Sequence, residues 1–285
     1  MTRTNPATET SATAPTRYVE IKGVTFAYRD FGSRAGTPVV FLHHFTATID
    51  EWDPAVLDGI AAERRVVIVD NRGVGGTPGR VPADVGAMAD DAIAFIRALG
   101  LDRVDLLGFS LGGFVAQTIA VKDPVLVRRM ILAGTGPAGF KGVGQANRRL
   151  LGDSLQALTR LRDPRPLLFF TRTPDGRDAA RAYMTRIGER TGDRVKRTSL
   201  RAAVAQLRAI MRWGSQHPTD LGAIIQPVLV ANGEDDRMLA TRGSFDLAHR
   251  LPNAELVIYP DAGHGGIFQH HDDFVPRVLG FLGRR

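Results

Sequence analysis

The serine of Gly108-Phe109-Ser110-Leu111-Gly112 constrains this chain most, because it stands between the apolar run Val104-Asp105-Leu106-Leu107 and the helix-like stretch Leu111–Lys122. A serine held on a sharp strand-to-helix turn has its hydroxyl pushed out of the fold toward substrate. Gly108 and Gly112 allow the close backbone approach such a turn needs, and Gly113 adds room on the helix side. The pattern alone is weak: with 31 glycines and seven serines in 285 residues, chance produces it in about one such chain in a dozen. Its place at a strand end gives it weight.

From Arg17 onward, short β-branched runs alternate with longer helical ones. Strands are expected at Tyr18–Ile21, Val24–Tyr28, Val39–Leu42, Val66–Asp70, Val104–Leu107, Met130–Ala133, Val228–Ala231 and Glu255–Tyr259. Several are apolar at every position rather than at alternate ones, the mark of parallel strands buried on both faces of an α/β sheet. Between them, Ala83–Leu99 has helical spacing at Met88, Ile93, Ile96 and Leu99 with Gly100 as its stop, and Leu111–Lys122 carries Ala116 and Ala120, small enough to pack tightly on a sheet. The resulting fold class is α/β, with a mostly parallel sheet of eight strands.

Residues 140–215 break this rhythm, since loops rarely exceed about 12 residues. They read as an inserted helical cap, with helices at Asn147–Thr159, Arg177–Thr191 and Leu200–Arg212, between a first core part at 17–139 and a second at 216–285. The cap is rich in arginine, with Arg172, Arg181, Arg186 and Arg201 among many, which fits a solvated helix face better than an anion trap. Residues 1–16 are small, polar and punctuated by proline, and are expected to be a disordered tail.

Composition removes several classes of function. There is no cysteine, hence no disulfide, thiolate nucleophile or Cys-ligated metal. No apolar stretch reaches the ~18 residues needed to cross a bilayer, so a cytoplasmic protein with no membrane partner is expected. The net charge of +7 raises the question of nucleic acid. However, lysine occurs only at 22, 122, 141 and 196, and the many arginines lack the interleaved aromatics of a base-stacking platform, so none is expected. A small molecule is the expected partner, and the number of subunits is left open.

Serine at its ordinary pKa is a poor nucleophile and needs a base, itself oriented by a third group. Two later strands run into suitable turns: Val228–Ala231 into Asn232-Gly233-Glu234-Asp235-Asp236, and Leu256–Tyr259 into Pro260-Asp261-Ala262-Gly263-His264-Gly265-Gly266. Of the seven histidines, only His264 combines a strand-end position with flanking glycines; His217 and His249 read as structural or exposed, and His270 and His271, opening the last helix, as pocket residues or solvated. Asp236 stands past its turn and can point back toward an imidazole, with Asp235 as the alternative and Glu234 set too early. Donors for a carbonyl oxyanion are expected from the backbone N–H of Leu111 and of Phe45, in the turn after Val39–Leu42. His44, Phe109 and Trp213 are candidate pocket residues; Phe140, Phe169, Phe170, Tyr183 and Met211 serve either as lining or as core.

With these residues in view, the chain from Arg17 to its C-terminus resembles bacterial α/β-hydrolases of the serine esterase and cofactor-free haloperoxidase type. The matching stretches are LHHF at 42–45, EWDP at 51–54, DNRGVGGT at 70–77, GFSLGG at 108–113, NGEDD at 232–236 and DAGH at 261–264. The resemblance implies a doubly wound sheet with a helical cap, a Ser110–Asp236–His264 triad, no metal and no cofactor. It implies cleavage of a small or medium ester, lactone or thioester, with perhydrolase, amidase, carbon–carbon hydrolase or purely ligand-binding roles as alternatives. The chain departs from the pattern at His44, where relatives often carry glycine; that imidazole either narrows the pocket, adds a hydrogen bond or points into solvent. Two glycine-rich stretches mislead. Gly134–Gly139 fits G-x-G-x-x-G, but Pro137 and the glycines after it deny it the helix a dinucleotide site needs, and in the stretch from Gly73 to Gly76 Pro78 falls where the third glycine should be.

Overall fold

Runs that are apolar at every residue have to be covered on both sides, and the architecture follows from that requirement. The computed structural model describes residues 9–143 and 163–284. Eight strands, β1 (Arg17–Ile21), β2 (Val24–Gly32), β3 (Val39–Leu42), β4 (Arg65–Val69), β5 (Val104–Phe109), β6 (Val127–Ala133), β7 (Val228–Gly233) and β8 (Ala254–Tyr259), form one sheet in the order β1-β2-β4-β3-β5-β6-β7-β8. The β1–β2 and β2–β4 pairs are antiparallel and the rest parallel. Alternate residues of each central strand feed two separate cores. Val40, Leu42, Leu106 and Val230 go to one face, and Val39, Phe41, Leu107 and Leu229 to the other. Full burial of each such side chain contributes roughly 1.5–3 kcal/mol.

The flanking helices are α1 (Pro54–Ala61), α2 (Val85–Ala98), α3 (Leu111–Lys122), α4 (Arg165–Phe169), α5 (Pro174–Arg186), α6 (Leu200–Ser215), α7 (Arg242–Arg250), α8 (Gly266–Gln269) and α9 (His271–Gly283). Helix α2 begins slightly later than its apolar spacing implies, because Asp84 caps it by accepting from Ala87 N–H at 2.9 Å. Between β6 and β7 lie α4, α5 and α6, while the helix expected at Asn147–Thr159 falls outside the described residues. The expected Arg177–Thr191 helix starts and ends earlier, capped by Thr173, whose hydroxyl accepts from Gly176 N–H at 3.1 Å. Among the described residues no helix is long and apolar enough to cross a membrane.

The N-terminal segment corrects one expectation. Residues 9–16 are docked on the fold instead of forming a loose tail. Ser11 donates from its N–H and hydroxyl to Asp58 at 2.6 and 3.0 Å, Ala14 is fully buried, and Thr16 N–H donates to Asp193 at 2.7 Å. The reason is polar. The Arg190 guanidinium, itself buried, donates to the carbonyls of Ser11 and Ala12 at 3.1 and 3.0 Å, so the segment supplies acceptors rather than apolar surface.

Candidate functional site

Ser110 sits between β5 and α3 with φ 57° and ψ −115°, a conformation that costs a non-glycine residue about 1–3 kcal/mol. Its surroundings leave no alternative. A Cβ on Gly112 would lie 1.9 Å from the Leu42 carbonyl oxygen, and one on Gly108 would lie 2.4 Å from that of Gly112. The turn is tied from behind as well: Ser110 N–H donates to Ala133 O at 2.9 Å and the Thr135 hydroxyl donates to Ser110 O at 2.9 Å. Thr135 belongs to the stretch that mimics a dinucleotide motif, and its work is to brace this turn.

His264 follows β8 and Asp236 follows β7, and the two meet in the interior, His264 Nδ1 lying 2.8 Å from Asp236 Oδ2. A carboxylate accepts, so Nδ1 carries the proton. Asp236 is fixed through its other oxygen, which accepts from Met238 and Leu239 N–H at 2.8 and 2.9 Å. Glu234 and Asp235 are exposed, and Asp236 is the one of the three acids whose carboxylate meets the ring. Nε2 of His264 is buried and has no hydrogen-bond partner among the described residues. His264 belongs to the wall of a cavity of about 310 Å³ whose lining also includes Ser110, His44, Phe45, Thr46 and Arg165.

The loop after β3 forms another part of that wall, and it is held by side chains. Trp52 Nε1–H donates to His43 Nδ1 at 2.8 Å, and Ile49 N–H donates to Asp70 Oδ1 at 2.8 Å, with His43 Nε2 lying 3.8 Å from the same oxygen. Burial holds His43 neutral, down at about 3, and pushes Asp70 up to about 7 despite the N–H groups it accepts from. Thr46 has φ 63°; its N–H donates to Gln206 Oε1 at 2.8 Å and its carbonyl accepts from the Thr198 hydroxyl at 2.6 Å. Phe45 N–H lies in this braced loop, and Leu111 N–H heads α3, where the first N–H groups of a helix have no partner within it.

Helix α4 lines the cavity from the inserted segment, and α4 and α5 are tied to the core by charge. Asp53, fully buried, caps α1 and receives two hydrogen bonds from Arg186 on α5 at 2.7 and 2.6 Å. Arg165 binds Asp163 at 2.6 Å and Glu51 at 3.2 Å; burial raises the Glu51 carboxyl, and the Arg165 charge opposes that rise. The expected pocket residues divide. His44 is 5% exposed and lines the cavity rather than facing solvent, Phe109 lies beneath His44 and His264 at ring-centroid distances of 5.3 and 4.8 Å, and Trp213 is elsewhere. Trp213 stacks on Phe114 at 5.0 Å and donates to Gly136 O at 3.3 Å, so it is core.

Among the described residues there is no group of three or more His, Cys, Asp or Glu side chains that could hold a metal ion. The sequence profile of the alpha/beta hydrolase fold matches residues 37–271. The chain belongs to the alpha/beta hydrolase family. Over its sequence, this hydrolase is 28% identical to a protein of Agrobacterium fabrum provisionally named carbamate hydrolase RutD, covering 81% of this chain and 87% of that one. It is 26% identical to a protein of Synechocystis provisionally named non-heme chloroperoxidase, over 90% and 94% of the two chains. In structure it is similar to an alpha/beta hydrolase fold protein from Chitinophaga pinensis, with a TM-score of 0.93, 38% identity and coverage of 97% and 100%.

Gln206, Thr198 and Arg165 escaped the reading of the hydrolase sequence. Thr198 and Arg165 carry no signal there, being polar residues in a polar stretch. Gln206 did carry one: it is the single polar side chain in the buried stripe Ala202, Gln206, Ala209 and Trp213 of α6.

Proposed function

We propose that the protein is a serine hydrolase that cleaves a small or medium carboxylic ester, lactone or thioester through an acyl-enzyme on Ser110. The observation that carries this reading is the 2.8 Å contact between His264 and Asp236, with the second ring nitrogen unpaired among the described residues and His264 lining the cavity that Ser110 also lines. In the proposed reaction His264 Nε2 removes the Ser110 proton as Oγ attacks the carbonyl carbon. The oxyanion is held by Phe45 and Leu111 N–H, and His264 passes the proton to the leaving oxygen or sulfur. Water then repeats the sequence and releases the acid. Asp236 keeps the imidazole in the required tautomer and stabilises its charged form.

The cavity supports the size range, since about 310 Å³ is at the small end of the ~300–1,000 Å³ usual for ligand sites. The relatives named for carbamate hydrolysis and for chloroperoxidase activity support keeping amidase and perhydrolase chemistry as variants on the same three residues. A fluorophosphonate probe is expected to label the wild type and not Ser110→Ala, and a panel of p-nitrophenyl esters of graded chain length, with lactones and thioesters, is expected to peak at short acyl groups. A protein that neither labels nor turns over any of them is a ligand-binding member of the fold instead.

A further inference from the structure

The proposed reaction leaves one buried polar group in the cavity unused. His44 Nδ1 lies 3.0 Å from the carbonyl oxygen of Phe45. A carbonyl only accepts, so Nδ1 is the protonated nitrogen. Burial drives the pKa of the ring well below its ordinary value, and the Arg165 guanidinium and the imidazoles of His43 and His264 act in the same direction. The imidazole is therefore neutral, and Nε2 is a lone pair that can only accept. That atom is buried and has no hydrogen-bond partner among the described residues. The ring has little freedom to find one by turning, because it is packed edge to face against Phe109 and Phe169 at 5.3 and 5.2 Å.

An acceptor in this position does not help the oxyanion. A lone pair repels developing negative charge, whereas a hydrogen-bearing group on the acyl part of the substrate would be attracted to it. Buried acceptors are normally paired, and the cavity that His44 shares with Ser110 and His264 is the place from which a partner can come. We propose that His44 Nε2 accepts a hydrogen bond from an N–H or O–H on the acyl side of the substrate, so that the site favours donor-bearing acyl groups, such as 2-hydroxyacyl or carbamoyl, over their alkylated counterparts. This inference deepens the Ser110 reading and rests on it for the placement of the acyl group.

The test compares kcat/KM for p-nitrophenyl 2-hydroxypropanoate and p-nitrophenyl 2-methoxypropanoate in the wild type, His44→Phe and His44→Gln. The wild type is expected to prefer the hydroxy ester by about tenfold. Phenylalanine, which fills similar space without an acceptor, collapses the ratio toward one, and glutamine, which keeps an acceptor, recovers part of it. A wild-type ratio of one, or the same preference in His44→Phe, overturns the proposal. A second measurement needs neither a folded variant nor turnover: nitrogen-15 NMR of the wild-type imidazoles at neutral pH. Nδ1 of His44 is expected to be protonated and Nε2 bare, with the Nε2 resonance moving on addition of 2-hydroxypropanamide and not of 2-methoxypropanamide. A protonated Nε2, or equal responses to both amides, overturns the proposal. If the selective shift is seen while fluorophosphonate fails to label Ser110, it is the proposed reaction that falls and the acceptor site that stands.

Discussion

Two neighbouring turns line the cavity, and both place a non-glycine residue in the left-handed region, Ser110 at φ 57° and Thr46 at φ 63°. They are held there by different means. The Ser110 turn is fixed by backbone against backbone, with glycines at 108 and 112 where any Cβ would meet a carbonyl. The loop at 43–48 contains no glycine; side chains from distant parts of the chain fix it, including Gln206 and Thr198, which lie 160 and 152 residues from Thr46. Steric exclusion leaves the first turn one conformation. Hydrogen bonds hold the second with contributions that can be removed one at a time.

The largest effect is therefore expected at the glycine turn. Gly112→Ala places a Cβ 1.9 Å from Leu42 O, a backbone atom of β3 that cannot swing aside. A loss of about 4 kcal/mol or more in urea unfolding is expected, at the extreme of what single substitutions cause. A stability within 1 kcal/mol of wild type would mean that α3 can shift along the sheet, and the contrast between the two turns would disappear.

The same contrast explains what the sequence makes legible. The Ser110 turn, the eight strands and the order of serine, aspartate and histidine are encoded locally, by glycine spacing and by runs such as Val228–Ala231 that read the same wherever they fold. Even so, β2 runs on to Gly32 rather than ending at Tyr28, because its second half pairs with β4 from Tyr28↔Val69 to Gly32↔Arg65. What braces the 43–48 loop depends on which helix the chain brings over it, and no local pattern carries that. The tail is a similar case: nothing in residues 9–16 announces that a buried Arg190 needs two carbonyls. Trp213 sits in the inserted segment, yet only the register of α6 sends it to Phe114 and away from the cavity.

Beneath the 43–48 loop, His43 and Asp70 carry opposed titrations. Asp70 keeps its proton up to about pH 7 in the folded chain but loses it near 3.8 once unfolded, so its contribution to stability falls as pH rises through that window. His43 refuses a proton down to about pH 3 when folded but takes one below 6.5 when unfolded, so its contribution falls as pH drops. Between about pH 4 and 6.5 the folded state holds one extra proton at Asp70 and one fewer at His43, and the two slopes cancel. His43→Gln should then lose stability relative to wild type as pH rises across this range, and Asp70→Asn should lose it as pH falls, each by about 3 kcal/mol. Chemical denaturation at half-unit pH steps measures both. Parallel curves for all three proteins would show that neither His43 nor Asp70 changes its protonation on unfolding in this range.

Gln206→Leu removes the acceptor of Thr46 N–H while keeping the helix and much of its volume. Leaving that donor unpaired costs about 1–3 kcal/mol. Because the loop carries Phe45 N–H, the loss should appear in kcat on a hydrolysed ester, by about tenfold, with KM within about twofold, as expected for a group that acts only when the oxyanion forms. A raised KM with unchanged kcat would place Gln206 in substrate binding and leave the loop's conformation to its other braces, Trp52, Asp70 and Thr198.

Thr198→Val has the smallest expected effect and separates bracing from burial. The side chain keeps its shape, loses the 2.6 Å hydrogen bond to Thr46 O, and leaves a carbonyl that is only half-buried and can turn to water. A cost of about 0.5–1.5 kcal/mol is expected, with kcat falling less than in Gln206→Leu. The two substitutions touch the same residue from opposite ends, so their effects should not add: once Gln206 is gone, Thr46 no longer holds its left-handed conformation tightly, and the hydroxyl has less to hold. A double variant whose losses sum within about 0.5 kcal/mol would show two independent contacts, and the 43–48 loop would then be held, like the Ser110 turn, by its own chain.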